Sequence, residues 1–115
     1  MTKFLFVCSA NKHRSKTADD YFSSKYPELH FSSGGTNHKI CKKEGTELLT
    51  DEMIEWADCI LVMEEKHRRV INSNARKNHL TKTKVLHIPD IYQYYQKELI
   101  AVLEEKADSV IRQGR

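Results

Sequence analysis

The chain's 115 residues give room for one hydrophobic core and exclude two. A hydrophobic share of 39% and a charged share of 30% exclude a disordered or fibrous protein and fit an ordinary globular one. Lys and Arg outnumber Asp and Glu by 19 to 16, a balance of +3 that suits an anionic substrate but is too small to argue for nucleic acid.

The apolar run KFLFVC (3–8) is short, continuous and β-prone, the pattern of a strand covered on both faces. From 15 to 25, Ala18, Tyr21 and Phe22 recur at helical spacing until Pro27 stops the pattern. LHFSS (29–33) predicts a weak second strand, ended by a Gly34-Gly35 turn, and 37–47 is polar and unassigned. Thr50 followed by Asp51 and Glu52 predicts an N-cap with acids in the first turn of a short helix through Trp56. CILVM (59–63) predicts a third buried strand, and 64–76 a helix with His67, Val70 and Ile71 on one face. KVLHI (84–88) predicts a fourth strand, and Tyr95, Leu99, Val102, Leu103 and Val110 mark one face of a last helix. Strands alternating with helices imply a single α/β domain: a four-stranded parallel sheet flanked by helices, with ligands bound beyond the carboxyl ends of the strands. Cys8, Met63 and the Pro89-Asp90 pair are all expected at that edge.

Three cysteines, at 8, 41 and 59, form no CxxC pair and leave at least one unpaired, which points to a reducing compartment. No segment is long enough to span a bilayer, and 4–8 is too short for a signal-peptide core, so a cytoplasmic protein is expected. Six histidines show no metal spacing, and neither a metal nor a cofactor is expected.

FVCSANKHRSKTADDYF (6–22) carries the chemistry. A loop that leaves a strand and enters a helix turns backbone N–H groups inward and adds the positive end of the helix dipole, which makes an anion cradle. Positive fields of this kind favour the thiolate, the nucleophilic form of a cysteine at the base of the loop. Arg14 at the rim offers a planar fork that matches two phosphate oxygens. Ser15 at the helix start is placed to donate to the sulfur. The bland alternative is a core cysteine at a strand end with a solvated arginine. Asp90 is expected at the same sheet edge, and its bland alternative is an N-cap for the following helix. Asp19 and Asp20 are expected to complement the first helix's N-terminal half.

The C-x5-R-S spacing of Cys8, Arg14 and Ser15 resembles the phosphate-binding loop of the low-molecular-weight protein tyrosine phosphatases. SSGGT (32–36) is similar to the family's Ser-Ala-Gly-Thr segment, TDEMIEWADCILVMEEKHRRVIN (50–72) to its helix–strand–helix pattern, and IPDIY (88–92) to its general-acid loop. The chain most resembles a short bacterial-type branch. The resemblance implies a phosphatase-I-like fold and hydrolysis of phosphate monoesters, phosphotyrosine protein first. Cys8 would be the nucleophile, Arg14 the phosphate clamp and Asp90 the acid. Ser9, Ala10, Asn11, Lys12, His13, Arg14 and Ser15 would cradle the phosphate. Asn11 would hold the loop's strained backbone, Ser33 would brace Asn11, and Tyr92 would keep one wall of the cleft.

The pattern also departs from the family. His13 stands where a second cysteine is usual, so no disulfide can form within the loop, and Lys12 and His13 make the rim more basic. The segment before Thr50, which in longer members carries an aromatic cleft wall and a buried histidine, is shortened, with His38 near it. The acid loop reads Asp-Ile-Tyr-Gln, Gln93 replacing an aromatic. A basic cluster that includes Lys66, Arg68, Arg76, Lys77 and Lys82 reads as a solvated helix and loop rather than an RNA surface. Cys41 reads as a loop thiol, Cys59 as a strand-core thiol and Trp56 as a core residue. Three rival readings remain. A phosphocysteine carrier has little use for Arg14 with an acid at Asp90, and a thiol arsenate reductase needs closely paired further cysteines. A module that binds phosphorylated ligands without turnover is opposed only by the complete set Cys8, Arg14, Ser15 and Asp90. Partners are expected to be a phosphorylated protein or a small phosphate monoester, not nucleic acid or membrane, and Cys8 is expected to be oxidisable.

Overall fold

Alternate side chains of the first strand point to opposite faces, and this divides the core. In a computed structural model that describes residues 2–74 and 79–114, β1 (Lys3–Cys8) is flanked by β2 (His30–Gly35) and β3 (Cys59–Val62), with β4 (Thr83–Val85) outermost. The order is β2-β1-β3-β4 and all three pairings are parallel, which yields the expected α/β sheet. Phe4, Phe6 and Cys8 face one cluster, packed on Ala18 and Phe22 of α1 (Arg14–Lys25) and Leu99 and Leu103 of α5 (Lys97–Gln113). Leu5 and Val7 face the other, packed on Ile54 of α3 (Asp51–Trp56) and Ile71 of α4 (Glu65–Asn74). With both faces covered, the strands read as continuous apolar runs.

Thr50 caps α3 as expected, its hydroxyl accepting from Met53 N–H at 3.2 Å. Elsewhere the local reading is corrected. The polar stretch after the glycines forms α2 (His38–Glu44), capped by Asn37, whose side chain accepts from Ile40 N–H at 3.1 Å, and ended by Gly45 at φ 70°. Cys41 is therefore a buried helix residue, not a loop thiol. Gly34 and Gly35 are not a turn but the end of β2, paired with Val7 and Cys8. A Cβ on Gly35 would stand 2.4 Å from Cys41 Sγ and 2.6 Å from Ser9 O, so glycine is needed for close approach rather than for bending. The fourth strand is shorter than the apolar run, although Leu86 N–H and Ile88 N–H still donate to Val62 O and Met63 O at 2.8 and 2.9 Å. Trp56 is half-buried, with the Lys3 ammonium 5.8 Å from its ring centre. Arg76 and Lys77, with the last two residues of the helix expected over 64–76, lie outside the described residues.

Candidate active site

Cys8 ends β1 at the carboxyl edge, and the chain curls through 9–13 before entering α1 at Arg14. Bonds from several other segments hold this loop. Beyond β2, Thr36 N–H donates to Cys8 O and Asn37 N–H to Ser9 O, both at 2.9 Å. Thr46 Oγ1 donates to Ala10 O at 2.6 Å, and Glu47 N–H donates to Asn11 Oδ1 at 3.3 Å.

Asn11 turns the loop with φ 49°, in the left-handed region that asparagine tolerates better than most residues. With its Oδ1 accepting from Glu47, its Nδ2 donates to Ser15 Oγ at 2.8 Å. That bond takes a lone pair of Ser15 and leaves the hydroxyl proton for Cys8 Sγ, 2.9 Å away. Asn11 N–H donates to the same sulfur at 3.2 Å. Two donors therefore converge on the sulfur, an arrangement able to hold negative charge there. Ser33 takes no part in this network. It donates to Asp19 Oδ2 at 2.8 Å, so it ties β2 to α1 rather than bracing Asn11.

Arg14 is only 2% exposed, and a buried guanidinium must be paired. Its Nη1 donates to Glu64 Oε2 at 2.5 Å and to Ile88 O at 2.7 Å. The hydrogen bond from Arg14 holds the Glu64 carboxyl below the usual carboxylate range. On another edge, Arg14 Nε lies 3.8 Å from Asp90 Oδ1. Asp90 is 63% exposed and caps nothing, since α5 begins at Lys97 with Gln96 as its N-cap. The alternative reading of Asp90 as a helix cap is thereby removed.

Cys8, Ala10, Lys12, His13, Arg14 and Asp90 share a cleft of about 150 Å³ with Ile40 and Glu44 of α2. The segment that sequence leaves unassigned thus supplies a wall. Tyr92 does not line this cleft; it is half-buried against the Phe4 cluster. Lys12 pairs with Glu44 at 3.4 Å, which offsets part of the basic rim. His38, at the start of α2, is exposed, and the buried histidine of this region is His67. Burial, reinforced by the nearby Arg14 charge, pushes His67 down to about 4.

Glu64, His67, Thr46 and Glu47 are support residues that sequence reasoning misses. Glu64 lies in a segment carrying a recognised pattern, but its bond to Arg14 spans fifty positions. Asp19 and Asp20 also do more than complement a helix: Asp20 accepts from Tyr94 Oη at 2.5 Å, and Thr17 Oγ1 accepts from Tyr95 N–H at 2.9 Å. Both bonds fix the far end of the segment that begins at Asp90. Among the described residues no group of three or more His, Cys, Asp or Glu side chains is placed to hold a metal ion. No helix among them is long and apolar enough to cross a membrane.

No protein-family model and no curated protein matches the chain. Solved structures do. The Erwinia amylovora tyrosine phosphatase AmsI is 24% identical, with a TM-score of 0.76 over 97% of this chain and 92% of that one. Vibrio vulnificus Wzb, solved with benzylphosphonate, is 22% identical, with a TM-score of 0.75 over 97% and 98%. The YwlE arginine phosphatase, a Bacillus subtilis protein, is 22% identical, with a TM-score of 0.70 over 96% and 97%. At these identities the likeness is one of fold, and this chain has the fold of low-molecular-weight phosphotyrosine phosphatases.

Proposed function

We propose that this protein hydrolyses phosphate monoesters through a phosphocysteine on Cys8, with phosphotyrosine protein as the first substrate class. The observation that carries the reading is the convergence, in one cleft, of a sulfur bonded by two donors, a buried arginine and an exposed carboxylate. In the first step the Cys8 sulfur attacks phosphorus and the ester P–O bond breaks. Asp90 gives its proton to the departing oxygen while Arg14 and the loop N–H groups hold the phosphoryl oxygens. In the second step water attacks phosphorus, Asp90 takes the water's proton, and the P–S bond breaks. Ser15 then stabilises the departing sulfur anion, and inorganic phosphate is released.

A carrier that preserves its phosphocysteine gains nothing from an acid beside it, which favours hydrolysis over phosphotransfer. The solved relatives include tyrosine phosphatases and an arginine phosphatase, so the leaving group is the finer question. Ile40 lines the cleft and Ile91 directly follows Asp90; both are exposed, a rim that suits the apolar part of a protein substrate.

The test is hydrolysis of p-nitrophenyl phosphate by the wild type and Cys8→Ser, with chelator present. Cys8→Ser is expected to lose at least about a thousandfold in turnover while still binding inorganic phosphate. Retained turnover in Cys8→Ser would sink the mechanism. Phosphotyrosine and phosphoarginine peptides, compared next by kcat/KM, decide the leaving group, the first being expected to prevail.

A further inference from the structure

His67 is buried in α4, outside the cleft, and the mechanism above leaves it unused. Its Nδ1 accepts from Glu64 N–H at 3.0 Å, so that nitrogen is unprotonated and the ring proton of the neutral imidazole sits on Nε2. Nε2 lies 2.9 Å from Ser9 Oγ and therefore donates to it. The first bond alone is a helix-capping contact, a side chain at the third helical position reaching back to the residue before the helix. The second bond needs a ring with two nitrogens on opposite sides, and it reaches the first residue of the phosphate loop. Glu64, whose N–H starts this chain, is also the residue whose carboxylate grips Arg14.

We propose that His67 is a positioning residue, a neutral imidazole strut that sets the phosphate loop at Ser9 in register with Glu64 and so with the Arg14 guanidinium. The proposal rests on the phosphatase reading for its kinetic consequence, though not for its geometry. Loop and arginine come from one end of the chain and Glu64 from another. Ser15 already ties the sulfur to the start of α1, which carries Arg14; the strut adds the tie between the loop at Ser9 and Glu64, the carboxylate that grips the arginine. A displacement of about 1 Å between loop and arginine is enough to cost a large factor in rate. Neutrality matters, because a charged ring has no lone pair for Glu64 N–H and would set a second cation beside Arg14.

The experiment combines the wild-type ring with a mutant cycle. Histidine side-chain 15N spectra are expected to show His67 as the Nε2–H tautomer throughout pH 5 to about 8; an Nδ1–H ring would overturn the proposal. His67→Asn keeps an acceptor for Glu64 N–H but cannot reach Ser9, and Ser9→Ala removes only the hydroxyl. Each is expected to lower kcat on p-nitrophenyl phosphate by about tenfold, and the double variant by about the same tenfold, because one shared bond is cut. A double variant down by about a hundredfold would mean independent effects and would also overturn it. A wild type without Cys8-dependent turnover would defeat the phosphatase reading alone. The same cycle read by inorganic phosphate binding then decides the strut, a common loss in all three variants supporting it and multiplying losses refuting it.

Discussion

The phosphate loop and the segment from Asp90 to Tyr95 face each other across one cleft and are built in opposite ways. In the loop, Cys8, Asn11, Arg14 and Ser15 are buried and each is bonded to a named partner. In the 90–95 segment Asp90 and Ile91 are 63% and 71% exposed, and fixation is at the ends. Ile88 O accepts from Arg14 at one end, and Tyr94 and Tyr95 are tied to α1 at the other. On the proposed mechanism a nucleophile needs a fixed field, which a loop fastened at many points supplies. On the same mechanism an acid must meet leaving groups of different shapes, and an exposed span held at its ends leaves room for that.

Four variants or conditions sharpen the contrast. Asp90→Asn is expected to slow ester cleavage by about a hundredfold for poor leaving groups and far less for p-nitrophenolate. Its melting temperature should stay at the wild-type value, because an exposed, uncapped side chain is lost. A leaving-group series read by kcat/KM checks this, and an equal loss across the series would remove Asp90 from the acid role.

Gly35→Ala strikes the loop instead, from behind. A Cβ there meets the Ser9 carbonyl and the Cys41 sulfur at distances real side chains do not adopt. A stability loss of about 1–3 kcal/mol is expected, with turnover falling by about tenfold as the loop shifts. Denaturant melts alongside kinetics test it; wild-type stability would mean that the loop yields easily and that the contrast is overstated.

The third concerns acid stability. His67 is held down to about 4 from an ordinary 6.5, so the unfolded chain binds more protons between those values. Stability therefore rises with pH through that window: its contribution is complete above 6.5 and lost as pH falls toward 4. Arg14 and Lys66 oppose protonation, while Glu64 and Asp90 favour it. His67→Asn is expected to flatten the dependence, as measured by urea midpoints at each pH. The smallest effect belongs to Tyr94→Phe, which unties one end of the 90–95 segment. The hydrogen bond to Asp20 pushes the Tyr94 phenol up to about 12, but the site is exposed. A change of about two- to threefold in kcat is expected, with no effect on phosphate binding.

Legibility in the sequence follows the range of the interactions. The strand ending at Cys8, the arginine at a helix mouth and the cap at Thr50 involve neighbours a few positions apart, and all stand as read. Glycine misleads because it serves both turns and close approach. Only the neighbours of Gly35 tell which, and they come from the phosphate loop and α2. For Tyr92 and Ser33 the resemblance offers position alone. Their partners, the core cluster and Asp19, were fixed by how α1 and α5 pack on the sheet.

By itself the sequence determined the α/β order and the local C-x5-R-S geometry, because apolar runs, helix spacing and a loop between strand and helix are short-range physics. Tertiary structure alone decided that Asp90 stands beside Arg14, that α2 walls the cleft, and that Glu64 and His67 tie arginine and loop together. Those are contacts between segments far apart in sequence, set by the packing of helices on a sheet, and no local pattern encodes them.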